Sequence, residues 1–315
     1  MCIVRKALLF VLCFCTLIIS VDAGSSIYIA QDNGYVGVYD AVTGALQNDK
    51  FADVRGINTG TFAMDQNHLY VTDYSDSRVM EFNAKTGQLE NPTLINVYPY
   101  VWGIAVDNAG HLFAASYPPE GYNSTVGKYL VSGTTATTID AGFIHSNSIE
   151  DIALDGLGNL YTGGYYTLAK WDATTGVLEA ATSSNGFKEG LAIYPNNGYS
   201  VFAQYYGNAA YEFTSSLDYA GRQVLPATGT ASGGLGVLDD TLYLATGGHI
   251  ETFDLLTNSY TSTNFLQTTM AIGNHFVIGQ GYDAAAVPEP GAFCLVAAGV
   301  VCCGFFTWNR RRAAK

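Results

Sequence analysis

Short apolar phrases recur along the chain at nearly equal intervals. Ile27-Tyr28-Ile29-Ala30, Leu69-Tyr70-Val71-Thr72, Leu112-Phe113-Ala114-Ala115 and Leu160-Tyr161-Thr162-Gly163 share one pattern. Val201-Phe202-Ala203-Gln204, Leu242-Tyr243-Leu244-Ala245 and Phe276-Val277-Ile278-Gly279 continue it. Their second positions lie 42, 43, 48, 41, 41 and 34 residues apart. That period belongs to propeller blades, in which about 40–50 residues make one four-stranded unit. No segment sustains a helical period, while alternating and short apolar runs bounded by turn residues are frequent, so the chain reads as all-β.

Each unit follows one plan. An apolar first strand, such as Gly103–Val106 or Asp151–Leu154, leads into a turn that starts on Asp65, Asp107 or Asp155. The aromatic strand comes next, then a third strand ending in Tyr39, Phe82, Trp171 or Phe253. The following turn is Asp40–Gly44, Asn83–Gly87 or Asp172–Gly176. Such turns close on a residue that tolerates positive φ, which is the role of glycine; Asn258 fills that slot in the last complete unit.

First strands are expected near residues 62, 103, 151, 191, 235 and 270, giving five complete blades between about 61 and 266. The remainder is second to fourth strands at 27–48 and first and second strands at 269–280. Together these make one composite blade with a strand to spare. A β-propeller of six blades is favoured over seven, because seven would leave two incomplete neighbours with exposed edges. Trp102-Gly103-Ile104-Ala105-Val106-Asp107, followed by His111-Leu112-Phe113, resembles the cadence of NHL-type and related six-bladed propellers. The resemblance spans most of residues 24–283. It implies an architecture rather than a function, since propellers host binding modules and enzymes alike.

The ends carry addresses. Arg5 and Lys6 precede the apolar run Ala7–Ile19 and the small-x-small site Val21-Asp22-Ala23, which predicts a secretory signal peptide over 1–23. At the other end, Pro288-Glu289-Pro290 precedes an uncharged span, Gly291–Trp308, and the basic cluster Arg310, Arg311, Arg312. Each proline fixes φ and lacks an N–H, which keeps the tripeptide out of helices and sheet ladders. The span is long enough to cross a bilayer as a transmembrane helix, with the basic cluster on the cytoplasmic side. This ordered arrangement resembles the PEP-CTERM sorting signal of Gram-negative bacteria over residues 287–315. It implies an exosortase-type processing enzyme as partner and a cell-surface or extracellular-matrix destination, since such systems accompany exopolysaccharide production. An ordinary membrane anchor with a proline hinge is the other reading.

Residues 24–286 would then be the exported body. All six cysteines lie in the two end segments, so the body has no disulfide framework, thiolate metal site or cysteine nucleophile. It holds 25 Asp and Glu against 8 Lys and Arg, a formal charge of −17. A nucleic-acid partner would need a basic footprint and is excluded on that ground.

Candidate chemistry divides by position. Asp65, Asp107 and Asp155 share one turn slot and read as caps of their own backbone. His68, His111 and His275 also share a slot, with no partner recurring at metal-ligand spacing. Loops joining second to third strands, together with blade-to-blade connections, emerge on one face. They carry Tyr74, Tyr117, Tyr122, Tyr165, Tyr166, Tyr205 and Tyr206, joined by Tyr98, Tyr100 and Trp102. Rings with a polar handle suit sugar faces and flat protein contacts. Trp102, Tyr117, Tyr122, Tyr165, Tyr166, Tyr205 and Tyr206 are therefore the candidate binding face for extracellular polysaccharide or a surface protein. The competing reading places half of these rings in the core.

His145, Glu150, Asp151 and Glu189 precede first strands and, with His249, are candidates to approach the channel mouth. There Glu150, Asp151 and Glu189 could hold Ca2+ or another divalent cation, or serve in acid–base chemistry. Some six-bladed lactonases use acidic and amide ligands at that mouth, but their pattern is not reproduced here, and no catalytic residue is assigned. The expected function is a non-enzymatic binding or scaffold module. The alternative is a secreted, divalent-cation-dependent hydrolase or lactonase.

The tail yields a direct test. If it is a sorting signal, the surface form lacks Gly291–Lys315, and replacing Pro288, Glu289 and Pro290 by Ala blocks release. Mass spectrometry of the surface fraction reads the outcome; an intact end at Lys315 supports the anchor instead.

Overall fold

The computed structural model describes residues 24–97, 99–117, 123–165, 167–183, 187–205, 209–267 and 276–279. The predicted signal peptide (1–23) and the tail (287–315) lie outside these residues. Among the described residues no helix is long and apolar enough to cross a membrane.

Six four-stranded antiparallel sheets are present. Blade 2 comprises β4 (Thr59–Met64), β5 (His68–Asp73), β6 (Arg78–Asn83) and β7 (Leu89–Asn96). Blade 3 is β8 (Val101–Val106), β9 (His111–Ser116), β10 (Ser124–Ser132) and β11 (Thr135–Ser146). Blade 4 is β12 (Ile149–Leu154), β13 (Asn159–Gly164), β14 (Thr167–Asp172) and β15 (Leu178–Ser183). Blade 5 is β16 (Phe187–Tyr194), β17 (Ser200–Tyr205), β18 (Ala209–Phe213) and β19 (Tyr219–Val224). Blade 6 is β20 (Ala231–Leu238), β21 (Thr241–Thr246), β22 (His249–Asp254) and β23 (Ser259–Gln267). Blade 1 joins the two ends of the described chain, in the order β24 (Phe276–Gly279), β1 (Ser26–Ala30), β2 (Tyr35–Asp40) and β3 (Leu46–Asp53). Each first strand packs against those of both neighbouring blades, so β4, β8, β12, β16, β20 and β24 close a ring. The fold is a six-bladed β-propeller.

Closure corrects one expectation. Phe276–Gly279 continues the aromatic-strand series in sequence, which predicts a second strand and a spare. In the structure it is a first strand, with Ile27 opposite Ile278 and Tyr28 opposite Val277. The short final interval of 34 residues has this cause: the last phrase sits one strand earlier in its blade than the other six. The first strands of the other blades begin two to four residues ahead of their predicted starts.

Two turn devices recur among the blades. Asp65, Asp107 and Asp155 do cap their own backbone. Oδ1 of Asp65 accepts the amides of Asn67 and His68 at 2.7 and 2.8 Å. Asp107 takes those of Ala109 and His111, and Asp155 those of Leu157 and Asn159. In the outer turns, Asp40, Asp172 and Asp254 accept amides two and three residues ahead. Glycine closes the turns at 40–44, 83–87 and 172–176 for two reasons, of which positive φ (72° at Gly44, 71° at Gly87 and Gly176) is only one. A Cβ there would also collide with a backbone carbonyl of the preceding blade's outer strand, at Phe265, Phe51 and Phe143 respectively.

The alanine of the same turn is a docking point between blades. Ala41, Ala84 and Ala173 are buried. Their carbonyls accept hydrogen bonds from the previous blade: Tyr243 Oη to Ala41 (2.6 Å), Tyr28 Oη to Ala84 (3.4 Å) and Lys128 Nζ to Ala173 (2.7 Å). The second-strand aromatics Tyr28, Tyr70, Phe113, Tyr161, Phe202 and Tyr243 are all buried. Four of the chain's 22 tyrosines are therefore core in this slot.

Gly87→Ala should cost about 2–4 kcal/mol, combining the left-handed backbone penalty with the collision. Gly56, with φ 77° and open space where a Cβ would stand, serves as the control and should lose only about 1–2 kcal/mol. Urea unfolding midpoints of the two variants measure the difference. The outer turns also set acid sensitivity. Backbone amides of Thr175 and Thr257 hold the Asp172 and Asp254 carboxyls below the ordinary range. Carboxyls depressed in the folded state add stability above their unfolded pKa, and that stability is lost as pH falls through the folded value. Compared at about pH 6 and about pH 3, an Asp172→Asn, Asp254→Asn variant should lose less stability than the parent.

Candidate binding face

The loops between second and third strands, together with the blade connections, do share one face. Backbone bonds stitch them in pairs: Tyr74 N to Asn58 O, Val97 N to Ser77 O and Tyr117 N to Tyr100 O. On the blade 2 and blade 3 side four rings meet. Tyr74 stacks on Tyr100 with centroids 4.7 Å apart and planes 15° from parallel. Trp102 stands edge-on to Tyr74 at 5.1 Å and to Tyr117 at 6.2 Å. All four side chains are half-buried.

Their placement follows from the chain. Tyr74 leaves the end of β5, Tyr100 and Trp102 enter β8, and Tyr117 leaves the end of β9. The Trp102 backbone is pinned from blade 2, where Thr61 Oγ1 donates to its carbonyl at 2.6 Å. Burial raises the Tyr74 phenol, and the neighbouring Tyr100 and Tyr117 phenols add to the effect. The Trp102 Nε1 atom is buried and has no hydrogen-bond acceptor among the described residues, although a buried indole N–H ordinarily finds one. The cluster offers ring faces and phenol hydroxyls together, with the indole nitrogen held beneath them.

Other members of the predicted face fare differently. Tyr165 projects from the blade 4 hairpin, 41% exposed. Tyr205 ends β17, opposite Ala209 and Phe187; Tyr98, Tyr122, Tyr166, Tyr206 and the side chain of Tyr205 lie outside the described residues. The structure therefore joins Trp102 and Tyr117 to Tyr74 and Tyr100.

The channel has another character. A cavity of about 280 Å3 is lined by apolar residues such as Phe62, Ile104, Ile152, Leu191 and Leu235. Asp151 is the single ionisable residue among those lining it. Its two oxygens accept the amides of Ile152 and Leu191, both at 2.8 Å, which ties β12 to β16. Glu150 is buried on β12, and the Glu189 side chain lies outside the described residues. His145 is corrected: it is an exposed residue of the outermost strand β11, opposite Thr125, on the far side of its blade from the channel. His249 opens β22, where Nε2 meets Thr228 and Thr246 hydroxyls at 2.6 and 2.9 Å and the buried Glu251 at 3.4 Å.

Spacing arithmetic missed one constellation. Glu81 on β6 is fully buried, and neither of its oxygens has a hydrogen-bond partner. Burial pushes its carboxyl up to about 7. A charged residue in mid-strand was the available signal.

Comparison with known proteins adds architecture. No family model matches the chain, and no curated protein matches it. Among solved structures, a chain in the crystal structure of a nidogen/laminin complex is similar, with TM-score 0.64 and 14% identity. The match covers 82% of this chain and all of that one. At this identity the likeness shows the shared propeller fold.

Proposed function

We propose that this protein is an exported, non-enzymatic binding or scaffold module of the cell surface or extracellular matrix, with the aromatic face of blades 2 and 3 as its contact surface. The observation that carries this reading is the half-exposed cluster of Tyr74, Tyr100, Trp102 and Tyr117. Ring faces stack on the apolar faces of sugars, and phenol groups supply directional hydrogen bonds. A body charge of −17 favours a neutral or cation-bridged polysaccharide over an anionic one. A surface protein is the second reading, favoured by the similar chain found in a protein–protein complex. Export would be served by residues 1–23, and sorting by an exosortase-type enzyme acting on the PEP-CTERM-like segment 287–315.

The hydrolase reading has less support, since Asp151 is committed to two backbone amides. Retention on extracellular polysaccharide tests the proposal. A Tyr100→Ala, Tyr117→Ala variant should bind about tenfold or more weakly while keeping the parent's melting transition. Unchanged retention would count against it. So would a divalent-cation-dependent hydrolysis abolished by Glu150→Gln with Glu189→Gln.

A further inference from the structure

Blade 2 breaks a pattern that blades 3, 4 and 5 keep. One third-strand slot, opposite the second-strand aromatic, holds charge in four blades: Glu81 faces Tyr70, Lys128 faces Phe113, Lys170 faces Tyr161 and Glu212 faces Phe202. Three of these charges are matched. Lys128 donates to the Ala173 carbonyl, Lys170 pairs with Glu179 at 2.8 Å, and Glu212 pairs with Arg222 at 3.3 Å. Glu81 is fully buried and neither oxygen has a hydrogen-bond partner; the His68 ring, 3.9 Å away, is a counter-charge only when protonated. A buried carboxylate without a counter-charge is costly, and such groups are ordinarily paired or bound to a cation.

What surrounds Glu81 has the chemistry of a cation site. His68 Nε2 lies 3.9 Å from Glu81 Oε1 and 3.8 Å from Glu90 Oε2. The other ring nitrogen, Nδ1, is 3.2 Å from Asp65 Oδ2, which also accepts the Tyr70 hydroxyl at 2.9 Å. A proton on Nδ1 directed at Asp65 leaves the Nε2 lone pair facing the two carboxylates, the second-shell arrangement typical of a metal-ligating histidine. Glu90 is steadied by Asn83 Nδ2, which donates to its Oε1 at 2.9 Å. As these side chains stand, no group of three among the described residues is drawn in tightly enough to hold a metal ion. A cation about 2.2 Å from Nε2 and from either oxygen would subtend roughly 120° at these separations, wider than a tetrahedral site, so binding requires the partly exposed Glu90 to swing inward.

We propose that His68, Glu81 and Glu90 form a divalent transition-metal site in the cleft between blades 2 and 3, with Asp65 as the residue that orients His68. One imidazole with two carboxylates suits Zn2+ or Mn2+ better than Ca2+, which prefers oxygen ligands alone. The site is remote from the channel and independent of the binding reading of the loop face.

Calorimetric titration of the purified, EDTA-treated chain with ZnCl2, MnCl2 and CaCl2 tests it. One Zn2+ or Mn2+ per chain should bind and raise the melting temperature. Glu81→Gln and His68→Gln should each weaken binding tenfold or more. His111→Gln is the control, because His111 has the same aspartate contact (2.8 Å to Asp107) but Lys128 in place of the buried glutamate. If Glu81→Gln fails to fold, Glu90→Gln on the more exposed ligand replaces it. Absence of binding, preference for Ca2+, or binding that survives both glutamate variants overturns the proposal.

Discussion

Three of the six blade boundaries are locked by a carbonyl that its own blade cannot satisfy. Each sheet satisfies most of its backbone internally, but the outer-turn alanine is buried against the preceding blade, where water does not reach. Its carbonyl must find a donor there, because a buried unpaired acceptor costs about 1–3 kcal/mol. Tyr243, Tyr28 and Lys128 supply that donor to Ala41, Ala84 and Ala173. The donors differ in chemistry and share a reach, so the constraint lies on geometry rather than residue type. The adjoining glycine keeps the two backbones close enough for the bond to form.

Where that lock is missing, the chain does something else. Blade 3 has no Asp-Ala-x-Thr-Gly turn; β10 runs instead into Gly133 and a twelve-residue outer strand, β11. Tyr70 of blade 2 therefore finds no turn carbonyl and donates to Asp65 of its own blade. The buried Glu81 and the ring of His68 occupy the space this leaves. Above the same pair of blades, Tyr74, Tyr100, Trp102 and Tyr117 gather. The same bond recurs in blade 4, where Tyr161 donates to Asp155, but the unpaired buried carboxyl and the aromatic cluster both fall on the boundary of blades 2 and 3.

Much of this was legible in the sequence, and the failures have physical causes. The period, the aspartate turns and the closing glycines all reflect local backbone chemistry, which a linear pattern carries well. Six blades followed from edge pairing. The identity of Phe276–Gly279 as a first strand did not, because an apolar tetrapeptide has the same pattern whichever neighbour it pairs with. His145 was placed near the channel for lying close in sequence to β12, yet a twelve-residue outer strand holds it on the rim. Glu81 and Glu90 lie 13 and 22 residues from His68 and meet it only because β5, β6 and β7 are adjacent strands. Spacing rules for metal ligands describe a single helix or loop, so they pass over such a set.

Charge and aromatic contact act at different ranges, and their order matters. At physiological ionic strength, exposed charges are felt over about 8 Å, well beyond the reach of ring stacking. A body carrying −17 therefore rejects anionic polymers before any tyrosine can touch them, unless cations screen or bridge the two. Ring faces discriminate poorly among sugars once contact is made. On the proposed binding role, selectivity would come chiefly from what the acidic body excludes, with repulsion narrowing the partners and stacking holding those that remain.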